Sequence, residues 1–115
     1  MSIKGRILSD EKMREIGFTD YVKDRWYYSK TIRFPKEKIY KGFHITFNVT
    51  IPKDGSNIQI DILDEDFLQP YDYQYILQNN PIFDPCLIVK EQVEEMMIYM
   101  QEQGVISGYT KGDYI

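Results

Sequence analysis

The sequence has no alanine and only one cysteine, one histidine and one tryptophan in 115 residues, and just 2 of its 14 basic side chains lie beyond residue 57. A lone Cys86 excludes an internal disulfide, and with His44 as the single histidine no pair of residues has zinc-ligand spacing. No apolar run approaches the ~18 to 20 residues that cross a bilayer. The opening Met1-Ser2-Ile3-Lys4-Gly5-Arg6 leads into no signal-peptide core. A soluble cytoplasmic chain without membrane attachment is expected. Alanine codons are GC-rich while those of the abundant Ile, Lys and Tyr are AT-rich, so a high tyrosine count is weak evidence of function.

What is present describes a core. Hydrophobic residues make up 43% and aromatics 15%, with sixteen isoleucines, far from a composition that cannot offset its own ordering entropy. A chain of 115 residues is one domain and buries roughly two-thirds of its unfolded surface without disulfide or metal.

Ser9 can cap a short helix over residues 10–16, with Asp10 and Glu11 complementing its dipole and Gly17 ending it. Trp26, Tyr28, Ile32 and Phe34 share one parity, the period of a half-buried strand. After a lysine-rich loop from Pro35 to Gly42, Phe43, Ile45, Phe47, Val49 and Ile51 alternate with His44, Thr46, Asn48 and Thr50. Turn residues 52–56 then join this strand to the alternating Ile58, Ile60 and Ile62 as a hairpin. Pro70 suits the first position of a helix through Leu77 that Asn79-Asn80-Pro81 stops. A longer helix opens at Asp84-Pro85, with Asp84 as cap, and runs to Gly104; Cys86, Val89, Val93, Met96, Met97 and Met100 form its apolar stripe. The pattern predicts an α+β fold, a three-stranded antiparallel meander with helices packed on one face, in the order α-β-β-β-α-α. The other sheet face should be wet, and residues 107–115 read as a tail, either extended against the body or disordered.

Charge is unevenly spread. Residues 1–57 carry 12 basic and 7 acidic side chains, a net of +5, and residues 58–115 carry 2 and 11, a net of −9. The two halves could simply neutralise each other on folding. Yet Glu91 and Glu95 repel at i,i+4, and Glu102 sits at the negative end of the long helix, so local helix stability does not explain this acidity. Leu87 and Ile98 fall off the apolar stripe among Glu91, Glu94 and Glu102, which resembles a small docking face. Tyr71 and Tyr75 add amphipathic area in the same half.

Catalytic patterns are sparse. Asp61, Asp64, Glu65 and Asp66 could hold Mg²⁺ against a phosphodiester, although acids at a strand end beside a helix N-terminus are also simply favourable. Cys86 in a first helical turn invites a nucleophile reading with His44, but it lies on the apolar stripe, where a small buried hydrophobe belongs. The wet face and nearby Lys30, Lys36, Lys38 and Lys41 could meet nucleic acid, but Tyr27 is the sole stacking aromatic there and the chain is acidic overall. Asn48-Val49-Thr50 matches a glycosylation acceptor that a cytoplasmic chain would not use.

The run Ile58-Gln59-Ile60-Asp61-Ile62-Leu63-Asp64-Glu65-Asp66-Phe67-Leu68-Gln69-Pro70-Tyr71-Asp72-Tyr73-Gln74, with Gly104-Val105-Ile106-Ser107-Gly108 and the closing Gly112-Asp113-Tyr114-Ile115, resembles small proteins of prophages and integrated mobile elements of Gram-positive bacteria. The resemblance covers about the C-terminal half and brings no activity, cofactor or catalytic residue. It implies a setting in which small proteins bind a host or phage protein. The expected function is a non-enzymatic accessory protein, needing no cofactor, that binds another protein through Leu87, Glu91, Glu94, Ile98, Tyr71 and Tyr75. Self-association through the oppositely charged halves is open. The alternatives are a divalent-metal phosphodiesterase using Asp61, Asp64 and Asp66, and a nucleic-acid-binding module built on the basic half and the wet sheet face.

Overall fold

Ser9 decides where the first helix begins. Its Oγ accepts from the Lys12 amide at 3.2 Å, and α1 (Asp10–Ile16) closes on Gly17, whose φ of 121° a side chain would strain. Ahead of it lies β1 (Lys4–Gly5). The structure, a computed structural model, describes residues 3–35 and 44–115. Phe43 and the expected loop lysines Lys36, Lys38 and Lys41 lie outside the described residues.

The alternating runs form β2 (Arg25–Thr31), β3 (Ile45–Pro52) and β4 (Gln59–Asp64), each antiparallel to the next. Register pairs Trp26 with Ile51 and Val49 with Ile60, which stacks the apolar parity on one face. The expected three-stranded meander is corrected here, because a fourth strand, β5 (Gln69–Pro70), pairs with Leu63 and Asp64. Two residues are too few to show a period. Asp64 Oδ1 turns the chain into it by accepting from the amides of Asp66 and Phe67 at 3.1 and 3.3 Å. Pro70 is therefore a strand residue at the sheet edge, where its missing N–H costs nothing. The helix expected from that point, α2 (Tyr73–Asn79), starts three residues later on the Asp72 carboxylate, which accepts from the Tyr75 amide at 3.0 Å.

The long helix α3 (Asp84–Glu102) has Phe83 rather than Asp84 at its cap position, with Asp84 in the first turn and proline beside it. Its stripe behaves as read: Cys86, Val89, Val93, Met97 and Met100 are fully buried and Met96 nearly so. Together with Met13, Phe18, Trp26, Ile45, Phe47, Val49 and Ile51 they make one core, and each such side chain stabilises the fold by roughly 1.5 to 3 kcal/mol on burial. Arg14 and Lys53 lie over the Trp26 ring at 5.3 and 4.8 Å from its centroid, and both reach the Asp20 carboxylate. Beyond α3, β6 (Ile106–Ser107) pairs antiparallel with β1, a second small sheet that joins residues far apart in the chain.

Candidate functional site

A helix side not used by the core needs another partner or water. On α3 that side is Glu91, Gln92, Glu95 and Tyr99, spaced by threes and fours, with Ile88, half-buried against the core, at its margin. It forms one wall of a groove of about 470 Å³, whose other wall is Lys30, Arg33, Phe34 and Pro35. A further hollow of about 390 Å³, lined by Ile16, Tyr28, Lys30, Glu95, Met96 and Tyr99, continues it along the helix. Lys30, Arg33, Glu91 and Glu95 are exposed, and no ion pair crosses the groove among the described residues. Two cations thus face two carboxylates over an apolar floor.

Gln92 fixes the width of this groove. Its Oε1 accepts from the Arg33 amide at 2.8 Å, and its Nε2 donates to the Arg33 carbonyl. The side-chain amide takes the place of a neighbouring strand just beyond β2, an edge strand whose backbone groups would otherwise be open to pairing. Nearer the start of β2, Thr19 and Tyr27 exchange two backbone bonds of 2.8 Å and close the edge in the same way.

The six expected contact residues divide. Glu91 lines the groove and is exposed; Leu87 is 40% and Tyr75 64% exposed. Ile98 and Tyr71 are half-buried against the core, and the Tyr71 hydroxyl lies 3.0 Å from Cys86 Sγ. Burial pushes the Cys86 thiol up, the opposite of an activated cysteine. Glu94 keeps only 15% of its side chain in solvent and pairs with Lys90 one turn earlier. Sequence reasoning named Glu91 but not Lys30, Arg33, Gln92 or Tyr99 as groove residues, since the two walls come from segments about 60 residues apart.

The tail neighbours Glu94. Of the two expected courses for the tail, residues 108–115 take the one against the body: Gln101 brackets the Tyr109 backbone, accepting from its amide at 2.9 Å and donating to its carbonyl at 3.0 Å. The Ile115 amide donates to the Tyr73 hydroxyl at 3.0 Å. Lys90 Nζ sits 5.2 Å from the Tyr114 ring centroid. The Tyr109 ring is buried, and its hydroxyl has no hydrogen-bond partner among the described residues. Burial, with Glu94 nearby, pushes that phenol up to about 12, the Gly112 backbone acting weakly against the rise.

Asp61, Asp64 and Asp66 do not converge. Among the described residues no three His, Cys, Asp or Glu side chains are placed to hold an ion, and the Asp64 carboxylate is engaged in the turn. The sheet face expected to be wet is also corrected in its middle, where Thr46 and Asn48 are 6% and 3% exposed. They lie on the central strand, between polar neighbours on both sides. Asn48 Oδ1 accepts from Tyr27 OH at 2.9 Å and Ser29 Oγ at 2.6 Å, while its Nδ2 donates to Thr46 Oγ1 at 2.9 Å. Thr46 in turn donates to Glu65 at 2.5 Å. Every hydrogen-bonding atom of the Asn48 amide is occupied, so this network is a structural element of the face.

No family model matches the chain, and no curated protein matches it in sequence. In fold it is similar to a DUF1831 family protein from Lactobacillus plantarum, known from its crystal structure, with a TM-score of 0.65 over 90% of this chain and 82% of that one at 12% identity. At that identity the likeness is one of fold alone. Among the described residues this chain is mixed α and β, with three helices and antiparallel sheets, and no helix is long and apolar enough to cross a membrane.

Proposed function

We propose that the chain is a non-enzymatic accessory protein that binds another protein along the acidic side of α3, with Glu91, Glu95, Leu87 and Tyr99 in the contact and Tyr75 at its margin. The observation that carries the reading is the groove between α3 and the exit of β2, where Lys30 and Arg33, without an ion pair among the described residues, oppose Glu91 and Glu95 beside Phe34, Pro35 and Ile88. Opposed charges on an apolar floor select a peptide segment of mixed charge: the charges set approach and register, and apolar burial supplies affinity. The likeness of residues 58–74 to proteins of prophages and mobile elements supports a host or phage protein as the partner.

The test is recovery of tagged protein from a lysate of the native host, identification of the partner, and titration of the purified pair. Reversing Glu91 and Glu95 to lysine should weaken binding at least tenfold, whereas Glu94→Gln, beside the tail, should change it little. Unchanged affinity in the double reversal would move the contact elsewhere.

A further inference from the structure

Among the described residues Leu68 is the one non-glycine residue with positive φ, 52°, and its side chain is 84% exposed beside Phe67 at 72%. A turn that only reversed the chain would favour glycine or asparagine there, since a Cβ is strained in the left-handed region and a leucine in water adds nothing to stability. The turn is nonetheless firmly held by the two amide bonds to Asp64 and by the β4–β5 pairing. Two apolar side chains are carried on a fixed tip, with Asp64, Glu65 and Asp66 beside them.

A receptacle of complementary character lies at the other end of β4. Ile3, Ile58, Ile60, Tyr114 and Ile115, all half-buried, line a slot of about 330 Å³. The adjoining cleft is lined by Lys4, Gly5, Gly55, Ser56 and Asn57, and neither lining contains an acidic side chain. Lys4 is exposed and has no ion pair among the described residues. The strand edge is open here as well. Ile62 offers its carbonyl to the Tyr71 amide on this side of β4; two residues earlier, the backbone groups of Ile60 face the same way and have no partner among the described residues.

We infer that the Phe67–Leu68 tip of one copy seats in the Ile3, Ile58, Ile60, Tyr114 and Ile115 slot of a second copy, with Asp66 directed toward Lys4. The tip is flanked by acidic side chains and the slot by Lys4, with no acidic side chain in its lining, so the two match in side-chain charge and in apolar character. Because they occupy opposite ends of one strand the contact is heterologous, so each copy keeps a free tip and a free slot and the assembly extends or closes into a ring. One tip in one slot buries less than a standard interface, so association belongs to high micromolar concentrations. It is independent of the α3 groove.

Sedimentation velocity of the full chain over a micromolar to millimolar series tests this. The average mass should rise with concentration, and Phe67→Ser with Leu68→Gly should remain monomeric over the whole range. Lys4→Glu should weaken association several-fold, and adding Asp66→Lys to it should restore association. An equimolar mixture of the tip variant with slot-blocked Ile60→Lys should form dimers and nothing larger; should Ile60→Lys fail to fold, the Lys4 and Asp66 exchange still decides. A wild-type chain that stays monomeric throughout, or a tip variant that associates as wild type does, overturns the inference. Glu91→Lys with Glu95→Lys should leave the mass curve unchanged, which separates this contact from the α3 reading.

Discussion

Two glutamines of α3 perform the same task in different surroundings, and that difference predicts unequal costs. Gln101 brackets the backbone of Tyr109, whose side chain is 5% exposed, through partly buried bonds of 2.9 and 3.0 Å. Gln92 brackets the backbone of Arg33, where the bonds are open to solvent. Replacing Gln101 with alanine removes two bonds worth ~0.5 to 1.5 kcal/mol each and leaves their backbone partners poorly hydrated, so the loss is about 2 to 3 kcal/mol. At position 92 water replaces the lost bonds, and alanine's better helix propensity returns a few tenths, so the loss stays under ~1 kcal/mol. With an unfolding entropy of about 0.24 kcal/mol/K for 115 residues, Gln101→Ala should lower Tm by about 8 to 12 °C and Gln92→Ala by no more than about 4 °C. Thermal unfolding followed by circular dichroism reads both values, and hydrogen exchange should show amides 106–115 losing protection in the first variant alone. Equal shifts, or the larger one at position 92, would refute the claim that hydration of the bracketed backbone sets the cost.

Tyr109→Phe deletes a buried hydroxyl that has no hydrogen-bond partner among the described residues and should raise stability by about 1 kcal/mol; a lowered melting temperature would show that the hydroxyl is satisfied in solution. The same phenol is held neutral up to about 12, above the ~10 of an unfolded tyrosine. Its contribution is therefore fully present below pH ~10 and is lost as pH rises through that interval, which urea unfolding across the range would show and Tyr109→Phe would flatten. At the acid end, the Lys53 hydrogen bond, helped by Arg14, holds the Asp20 carboxyl below its ordinary value of 3.8. Stability from this group is present above that value and is lost as pH falls below it. Asp20→Asn should reduce the acid dependence and change the fluorescence of Trp26, over which both cations lie; an acid limb identical to wild type would assign it to other carboxylates.

The alternation from Ile45 to Ile51 and the stripe from Cys86 to Met100 were legible because each follows one period long enough to rise above coincidence. Ser9 and Gly17 were legible as local chemistry. Gln69–Pro70 and the pairing of Lys4–Gly5 with Ile106–Ser107 were not, since two residues have no period. Pro70 satisfies the local rule for a helix start equally well, and its position is decided by pairing with Leu63. Thr46 and Asn48 read as wet because parity tells which face a residue takes but not how its neighbours cover it. For the site, the sequence identified the acidic side of α3 through Glu91, but not that Lys90 claims Glu94 or that Tyr71 turns inward to Cys86. Gln92 gave no signal at all, because its role exists only once β2 and α3 meet.

The union of β1 with β6 gives the molecule an order of events. Lys4 and Gly5 wait for Ser107 and Ile106, and Arg6 for the carbonyl of Val105, so residues 4–6 cannot take their place during synthesis until residues 105–107, about a hundred positions later, have emerged. The greasy side of the meander likewise stays bare on the ribosome until the methionines near residue 100 emerge. Once the body has formed, the remaining closure is short in space and inexpensive in entropy, since the penalty grows only logarithmically with the loop that is left. Residues 4–6 are thus the last of the described strands to settle, and under stress the first to let go.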